Sequence, residues 1–263
     1  LEHLDVTLCA TSPGTDLILQ ATAGEVRLAC LEQGRAIARW SAAEQQGQGF
    51  IGSKHAAACG SRVAVSLGGG VVQGLRAWNR KIQPLARVHL EREVSCLALA
   101  ECELGCDDVT LLLAGEWMTN AVVVLEFQQM EELLRIDPLG PGQPRSLALV
   151  SGGRSSLSHL YVGTALGTVH LVPFSAEDGE LCIEVEEADT AHVGQGPIDL
   201  TLVPVEPKRL QGGVSDSKSM DSRVTCVYAR SDVDESVVFV EGRLAMELRS
   251  ALQEAGEEEA GGA

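Results

Sequence analysis

Residues 109–127 read VTLLLAGEWMTNAVVVLEF, two apolar runs separated by a polar turn that contains glycine. Short runs rich in Val and Leu, bounded by turn-forming residues, are typical of β-strands that are buried in a sheet. Gly115 and Asn120 flank the turn and are residues that reverse a chain easily. This stretch therefore predicts a β-hairpin inside a packed sheet.

The same strand–turn–strand unit recurs along the chain. Equivalent pairs of runs lie at residues 17–31, 62–78, 159–173 and 224–240. Each pair is preceded by another β-compatible run and followed by a return strand, which makes four strands per unit. The units recur about every 45–55 residues, the spacing of propeller blades. We therefore predict an all-β fold, a β-propeller of WD-like blades with four antiparallel strands each, comprising about five blades of a larger ring.

The predicted partial propeller covers residues 1–250. Its approximate blades are residues 4–40, 50–90, 93–136, 145–186 and 197–249. Two segments interrupt the pattern, a loop at 101–108 and a longer insertion at 206–222, and residues 211–219 of the insertion are too polar to join a core. A stretch from about residue 244 is compatible with a short helix, and residues 251–263 are an acidic low-complexity tail.

Charge argues against direct binding of nucleic acid. The chain carries 20 Lys and Arg against 37 Asp and Glu, a formal net charge of -17. Such a surface repels phosphate backbones, so we expect nucleic acid to be reached at most indirectly, through a parent complex. The cationic set Arg76, Arg80, Lys81 and Arg87 is too small and too mixed with apolar residues to predict a DNA-binding stripe.

The cysteines and the apolar runs indicate the cellular compartment of the protein. No apolar run is long enough to span a membrane and no signal-peptide pattern occurs, so we expect no membrane partner. The eight cysteines are scattered singly, several of them inside apolar runs, as free thiols are when they pack as small hydrophobic groups. This usage predicts a reducing compartment, the cytosol or the nucleus.

The sequence offers no recognisable catalytic or metal motif. Cys96, Cys102 and Cys106 lie close together but lack the two close Cys or His pairs of a zinc site. His89 and His170 fall within predicted strands, outside any nucleophile or phosphate-binding motif. We therefore predict a protein that is not an enzyme and that binds no cofactor or metal. The enzymatic alternative requires a polar pocket at the central channel, assembled across blades.

Trp117 differs from the other aromatic residues because it falls in a turn and not on an apolar strand. Exposed Trp and Met side chains supply large, adaptable contact areas at protein interfaces. Packing of Trp117 against its own blade is the alternative. The candidate partner-binding residues are Trp117, Met118, Thr119 and Asn120.

Several short strings occur in an order that resembles the DNA damage-binding protein 1 family, in particular its second, cullin-binding propeller. They are residues 17–20 (LILQ), 26–28 (VRL), 40 (W), 92–97 (REVSCL), 115–117 (GEW), 160–163 (LYVG), 167–169 (GTV) and 178–181 (DGEL). The order also resembles the related large propeller subunits of splicing and cleavage/polyadenylation factors. Residues 93–97 and the turn with the tryptophan favour the damage-binding family.

The resemblance implies a non-catalytic adaptor of a cullin-4 RING ubiquitin ligase, which links substrate receptors and DNA-damage response or repair to ubiquitination. Its partners would be the cullin-4 scaffold, at Trp117 to Asn120, and substrate-receptor proteins. It implies a nuclear location, with the cytoplasm as a second one. The related factors imply an alternative, a scaffold of an RNA splicing or mRNA cleavage/polyadenylation complex. The chain departs from the family pattern at Glu116, at Met118, in the insertion at 206–222 and in the acidic tail.

Overall fold

A computed structural model describes residues 6–11, 17–22, 24–42, 55–104, 107–150, 158–177, 180–183, 185, 188–205, 224–231, 236–240 and 243–244. In these residues, 21 β-strands form five antiparallel sheets. Within each sheet, the first four strands are hydrogen-bonded neighbours in the order in which they follow one another in the chain. The prediction of an all-β fold built from four-stranded antiparallel sheets is confirmed.

The first three sheets each contain four strands. Sheet 1 consists of β1 (Val6–Thr11), β2 (Leu17–Thr22), β3 (Glu25–Cys30) and β4 (Arg35–Ser41). Sheet 2 consists of β5 (Ala56–Cys59), β6 (Arg62–Ser66), β7 (Val71–Trp78) and β8 (Lys81–His89). Sheet 3 consists of β9 (Val94–Leu104), β10 (Asp107–Glu116), β11 (Val122–Glu126) and β12 (Glu132–Ile136).

The last two sheets repeat this order with one addition. Sheet 4 consists of β13 (Pro144–Val150), β14 (Ser158–Thr164), β15 (Thr168–Glu177), β16 (Glu180–Ile183) and an extra strand, β17 (Asp189–His192). Sheet 5 consists of β18 (Ile198–Val205), β19 (Val224–Ser231), β20 (Ser236–Val240) and β21 (Arg243–Leu244).

Consecutive sheets pack face to face through aliphatic side chains. Leu111, Leu113 and Val124 of sheet 3, for example, form one buried cluster with Leu149 and Val162 of sheet 4. Comparable clusters join sheets 1 and 2, sheets 2 and 3, and sheets 4 and 5. The first strands of consecutive sheets also contact one another. The sheets therefore follow one another around their first strands, as propeller blades do.

The predicted loop at residues 101–108 is wrong for most of its length. Strand β9 continues to Leu104 and β10 begins at Asp107, so the two strands extend the hairpin into this segment. Cys102 pairs with Val109 and is buried, whereas Glu101 is exposed. Alternation between a buried and an exposed face lets a strand carry acidic residues, and this alternation outweighs the polar composition.

Sheet 4 contains a strand that the sequence did not predict. Strand β15 is ten residues long, and β16 pairs only with its second half. Strand β17 pairs with the first half, from Thr168 to Leu171. Two short strands therefore share the outer position of this sheet, because one short strand leaves part of the long β15 edge unpaired.

Two predicted segments cannot be compared with the structure. The insertion at residues 206–222 and the acidic tail at 251–263 lie outside the described residues. Of the helix-compatible stretch, only residue 244 is described, and it lies in strand β21.

Turns between second and third strands lie at one end of the sheets, together with the connectors between sheets. We call this the connector end. In sheet 2, the Leu90 N–H donates to the Gly70 carbonyl at 2.9 Å. In sheet 4, the Ala165 N–H donates to the Gln143 carbonyl, also at 2.9 Å. Turns between third and fourth strands lie at the opposite end, since the third strand runs from one end to the other.

Candidate partner-binding site

The four predicted residues form the turn between β10 and β11, at the connector end of sheet 3. Met118 is 79% exposed and Trp117 is 41% exposed, while Thr119 and Asn120 are half-buried. The Trp117 N–H donates to the Glu93 carbonyl at 2.7 Å, which ties the turn to the connector before β9. The structure therefore leaves the tryptophan partly open to solvent and does not bury it in its own blade.

Two residues of the turn adopt a left-handed backbone conformation. Asn120 has a φ of 59° and Met118 has a φ of 73°. Asn adopts this region readily, but for a residue such as Met it costs about 1 kcal/mol or more. Met118 therefore combines an unfavourable backbone conformation with an exposed apolar side chain. Unfavourable conformations of this kind cluster at binding and catalytic sites.

A buried carboxylate supports the turn from below. Glu116 is fully buried, and its Oε2 accepts hydrogen bonds from Thr119 Oγ1 at 2.8 Å and from Arg135 Nη1 at 2.9 Å. Arg135 also donates to Glu132 at 3.3 Å. Because the hydroxyl of Thr119 is bonded to Glu116, Thr119 positions the turn, and Trp117 and Met118 are the residues it presents.

An open groove of about 430 Å³ lies beside the turn. Its lining residues are Met118, Asn120, Gly142, Gln143, Ala165 and Leu166. Leu166 belongs to the equivalent turn of sheet 4 and is 56% exposed. That turn is held by Thr164 Oγ1, which accepts hydrogen bonds from the N–H groups of Leu166 and Thr168, both at 3.3 Å. Two neighbouring blades thus each place one exposed apolar side chain, Met118 and Leu166, at the same groove.

The space beneath the groove is small. A cavity of about 10 Å³ lies between Asn120, Val122, Asp137 and His170, among other residues. This volume holds about one water molecule, whereas sites for small-molecule substrates measure about 300–1,000 Å³. The larger space at the connector end of sheets 3 and 4 is therefore the open groove at the surface and not this enclosed cavity.

The two histidines considered from the sequence have different surroundings. His89 is exposed on β8, with Nε2 at 2.8 Å from the Gly69 carbonyl oxygen. His170 is buried on β15, with Nδ1 at 2.9 Å from Thr190 Oγ1, and burial lowers its pKa. The two residues lie in different sheets and share no hydrogen-bonded group.

The cysteines considered as metal ligands are part of a strand. Cys96 and Cys102 are buried on β9, and Cys106 lies outside the described residues. Burial raises the pKa of the Cys96 thiol to about 12, although Ser95 and Gly115 donate hydrogen bonds to it. Within the described part of the chain, no three His, Cys, Asp or Glu side chains are arranged to hold a metal ion. The same residues include no helix that is long and apolar enough to cross a membrane.

Cysteine reactivity should follow this burial. We expect iodoacetamide at pH 8 to modify Cys182, which is exposed, and to leave Cys96 unmodified. The reactive species is the thiolate, and a thiol with a pKa near 12 is ionised to only about one part in ten thousand at this pH. Mass spectrometry of tryptic peptides measures both sites, and labelling in urea shows that the Cys96 peptide is detectable. Equal labelling of the two residues in the folded protein would contradict the burial of Cys96.

Comparison with known proteins was made on sequence and on structure. No family model matches the chain. DNA damage-binding protein 1 from Oryza sativa subsp. japonica is 31% identical to the chain over 198 residues, which are 74% of this chain and 17% of that protein. The predicted resemblance to DNA damage-binding protein 1 is confirmed. The matched residues thus span less than a fifth of the length of this relative.

Solved structures identify the fold. The β-propeller domain of Cps50 (Swd1) from Myceliophteria thermophila matches with a TM-score of 0.58 and 14% identity, over 91% of this chain and 66% of that one. BamB from Moraxella catarrhalis matches with a TM-score of 0.54 and 15% identity, over 93% of this chain and 60% of that one. At such identities the matches show the fold alone, and they confirm the predicted β-propeller.

The sequence did not reveal the ion pair that supports the turn or the residues of sheet 4 that complete the groove. Glu116 was noted only as a departure from the family pattern, and its partner Arg135 was not considered. Leu166 carried a usable signal, since it is an apolar residue in a tight turn before Gly167. Gln143 carried none, because its position at the groove depends on how sheets 3 and 4 pack.

Proposed function

We propose that this chain is a non-catalytic scaffold propeller of a cullin-4 RING ubiquitin ligase, and that it links substrate receptors and the DNA-damage response to ubiquitination in the nucleus. The resemblance to DNA damage-binding protein 1 over 74% of the chain supports this role. In this role, the turn with Trp117 and Met118 contacts the cullin.

The observation that carries the proposal is the exposure of Trp117 and Met118 in one turn, with Leu166 lining the same groove as Met118. Most interface energy comes from a few large side chains, with Trp prominent among them, at the centre of a contact. A hot spot works best when its residues are held in place before binding. The hydrogen bonds of Glu116 and Thr164 hold both turns in this way.

The scaffold acts by placement. A protein that binds a cullin at one surface and a substrate receptor at another raises the effective concentration of substrate near the ubiquitin-transfer machinery. Such a mechanism requires rigid surfaces and no reactive side chain on the propeller itself. The aliphatic clusters between the sheets supply this rigidity.

Affinity purification tests the proposal. We expect the tagged protein to recover a cullin and substrate receptors from nuclear extract, and its Trp117→Asp variant to recover at least tenfold less cullin. The substitution places a charge where the contact is apolar, and an unpaired charge in an interface is costly. Quantitative mass spectrometry measures the recovery, and circular dichroism checks that the variant is folded.

The alternative function gives a different result in the same experiment. If splicing or cleavage/polyadenylation subunits are recovered and no cullin, the chain is a scaffold of an RNA-processing complex and the ligase proposal fails. If the folded Trp117→Asp variant recovers as much cullin as the unmodified protein, the ligase role stands but the proposed contact does not.

A further inference from the structure

Sheet 2 has a charge opposite to that of the whole chain. Residues 55–90 contain five Lys and Arg and no Asp or Glu, although the chain has a net charge of -17. Three of these cations lie at the tip of the β7–β8 hairpin, at Arg76, Arg80 and Lys81. This tip lies at the end of the sheet opposite the connector end, because β7 starts at the connector end and finishes at Trp78.

The three cations are not neutralised by the described part of the chain. No carboxylate oxygen among the described residues lies within 4.0 Å of Arg76, Arg80 or Lys81, whereas Arg62 in the same sheet pairs with Glu101 at 3.3 Å. In a protein with 37 acidic residues, a cluster of cations that have no carboxylate partner among the described residues is unexpected. A carboxylate from a partner would complement this charge.

A tryptophan lies among these cations. Trp78 is 53% exposed and pairs directly across the ladder with Lys81. The guanidinium carbon of Arg76 lies 5.0 Å from the centroid of the Trp78 ring. This cation–π contact orients the guanidinium and leaves its N–H groups at the surface, where they can bind a carboxylate in a bidentate manner.

An apolar cavity adjoins the same tip. It has a volume of about 40 Å³, and its lining includes Leu17, Leu19, Leu28, Ala77 and Trp78. This volume is too small for a nucleobase but admits a branch of an aliphatic side chain. Asn79 and Arg80, the two turn residues of the tip, also line the cavity.

We propose that the β7–β8 hairpin tip, residues 76–81, is a docking site for an acidic protein segment that carries an aliphatic residue. The carboxylates of the segment pair with Arg76, Arg80 and Lys81, and its aliphatic side chain enters the cavity beside Trp78. A short acidic segment is favoured over nucleic acid, because the rest of the chain is strongly acidic and repels an extended phosphate backbone.

This site is separate from the turn with Trp117. The two lie at opposite ends of the sheets, and the eight residues of β7 span about 25 Å at about 3.3 Å per residue. An acidic segment bound at the hairpin tip therefore leaves the connector end free. The inference does not depend on which partner occupies the connector end.

Fluorescence anisotropy with a defined peptide tests the proposal. The probe is a fluorescein-labelled hexapeptide, Glu-Glu-Leu-Asp-Glu-Glu, titrated with the whole chain at low ionic strength. We expect binding that weakens at least tenfold in the double variant Arg76→Glu and Lys81→Glu and severalfold in Trp78→Ser. Replacing the leucine of the peptide by serine should weaken binding severalfold. Circular dichroism and thermal melting identify any variant that fails to fold.

Arg230→Glu is the matched control, since Arg230 is also exposed on a strand but lies in sheet 5. Its affinity for the peptide should stay within twofold of the unmodified chain. Three results would overturn the proposal: no binding by the unmodified chain, equal weakening by Arg230→Glu, or tighter binding of a single-stranded oligonucleotide of the same charge. Self-association that Arg76→Glu abolishes in sedimentation velocity would instead assign the tip to a second copy of the chain.

Discussion

Replacing Arg135 by leucine should lower the free energy of unfolding by about 3 kcal/mol, because it leaves the buried Glu116 carboxylate without its cationic partner. The Glu116 side chain is fully buried, and the Arg135 guanidinium donates to it at 2.9 Å. Removing one member of a buried ion pair is costly because the remaining charge has lost its solvation without compensation. Urea denaturation of the chain measures the change.

Replacing the other member of the ion pair should lower the free energy of unfolding by less. In Glu116→Gln the arginine keeps Glu132 and has partial access to water, so we expect a loss of about 1 kcal/mol. The double variant Glu116→Gln with Arg135→Leu should be more stable than Arg135→Leu alone, since the unpaired charge is gone. Equal losses for both single variants would show that the Glu116 carboxylate does not depend on Arg135.

Replacing Gly167 by alanine should destabilise the fold by about 3 kcal/mol, through a backbone collision that side-chain movement cannot relieve. Gly167 has a φ of 82°, and a Cβ at this position would overlap the carbonyl group of Gly194. The Gly167 carbonyl also accepts hydrogen bonds from the N–H groups of Val193 and Gly194. Alanine would push this connector away from the β14–β15 turn, and thermal or urea unfolding measures the loss.

Gly60→Ala is the control that measures the cost of the left-handed backbone conformation without a collision. Gly60 has a φ of 55°, but a Cβ there would meet nothing within 4 Å. We expect it to cost about 1 kcal/mol, the price of the left-handed conformation alone. If Gly167→Ala is no more destabilising than Gly60→Ala, the Gly194 carbonyl does not lie as close to residue 167 as the structure shows.

Periodicity was enough to predict most of the fold. Runs such as residues 109–114 and 121–127 alternate or stay apolar over strand length, and the same quartet recurs five times, so both strands and sheets could be predicted. Strands that mix acidic and apolar residues were harder to predict. Residues 101–104 were predicted as a loop from their acids, because only the register with β10 reveals that Cys102 faces the core and Glu101 faces solvent.

The candidate site was predictable only in part. A tryptophan and a methionine in a turn can be found in the sequence, and the structure shows both exposed. The ion pair beneath them joins residues 19 positions apart on strands that are not neighbours, so no local pattern contains it. The groove with Leu166 depends on the packing of two blades. The cationic set of sheet 2 can be found in the sequence, but the cavity beside it depends on the packing of sheets 1 and 2.

The most direct test of the account is the affinity of purified cullin-4 for this chain, measured by biolayer interferometry with three variants. Trp117→Asp and Met118→Asp should each weaken binding at least tenfold. Leu133→Asp should leave it unchanged, because Leu133 is 40% exposed, much like Trp117, but lies on β12 away from the groove. Wild-type affinity in folded Trp117→Asp and Met118→Asp would contradict the proposed contact, and no binding by the unmodified chain would contradict cullin docking itself.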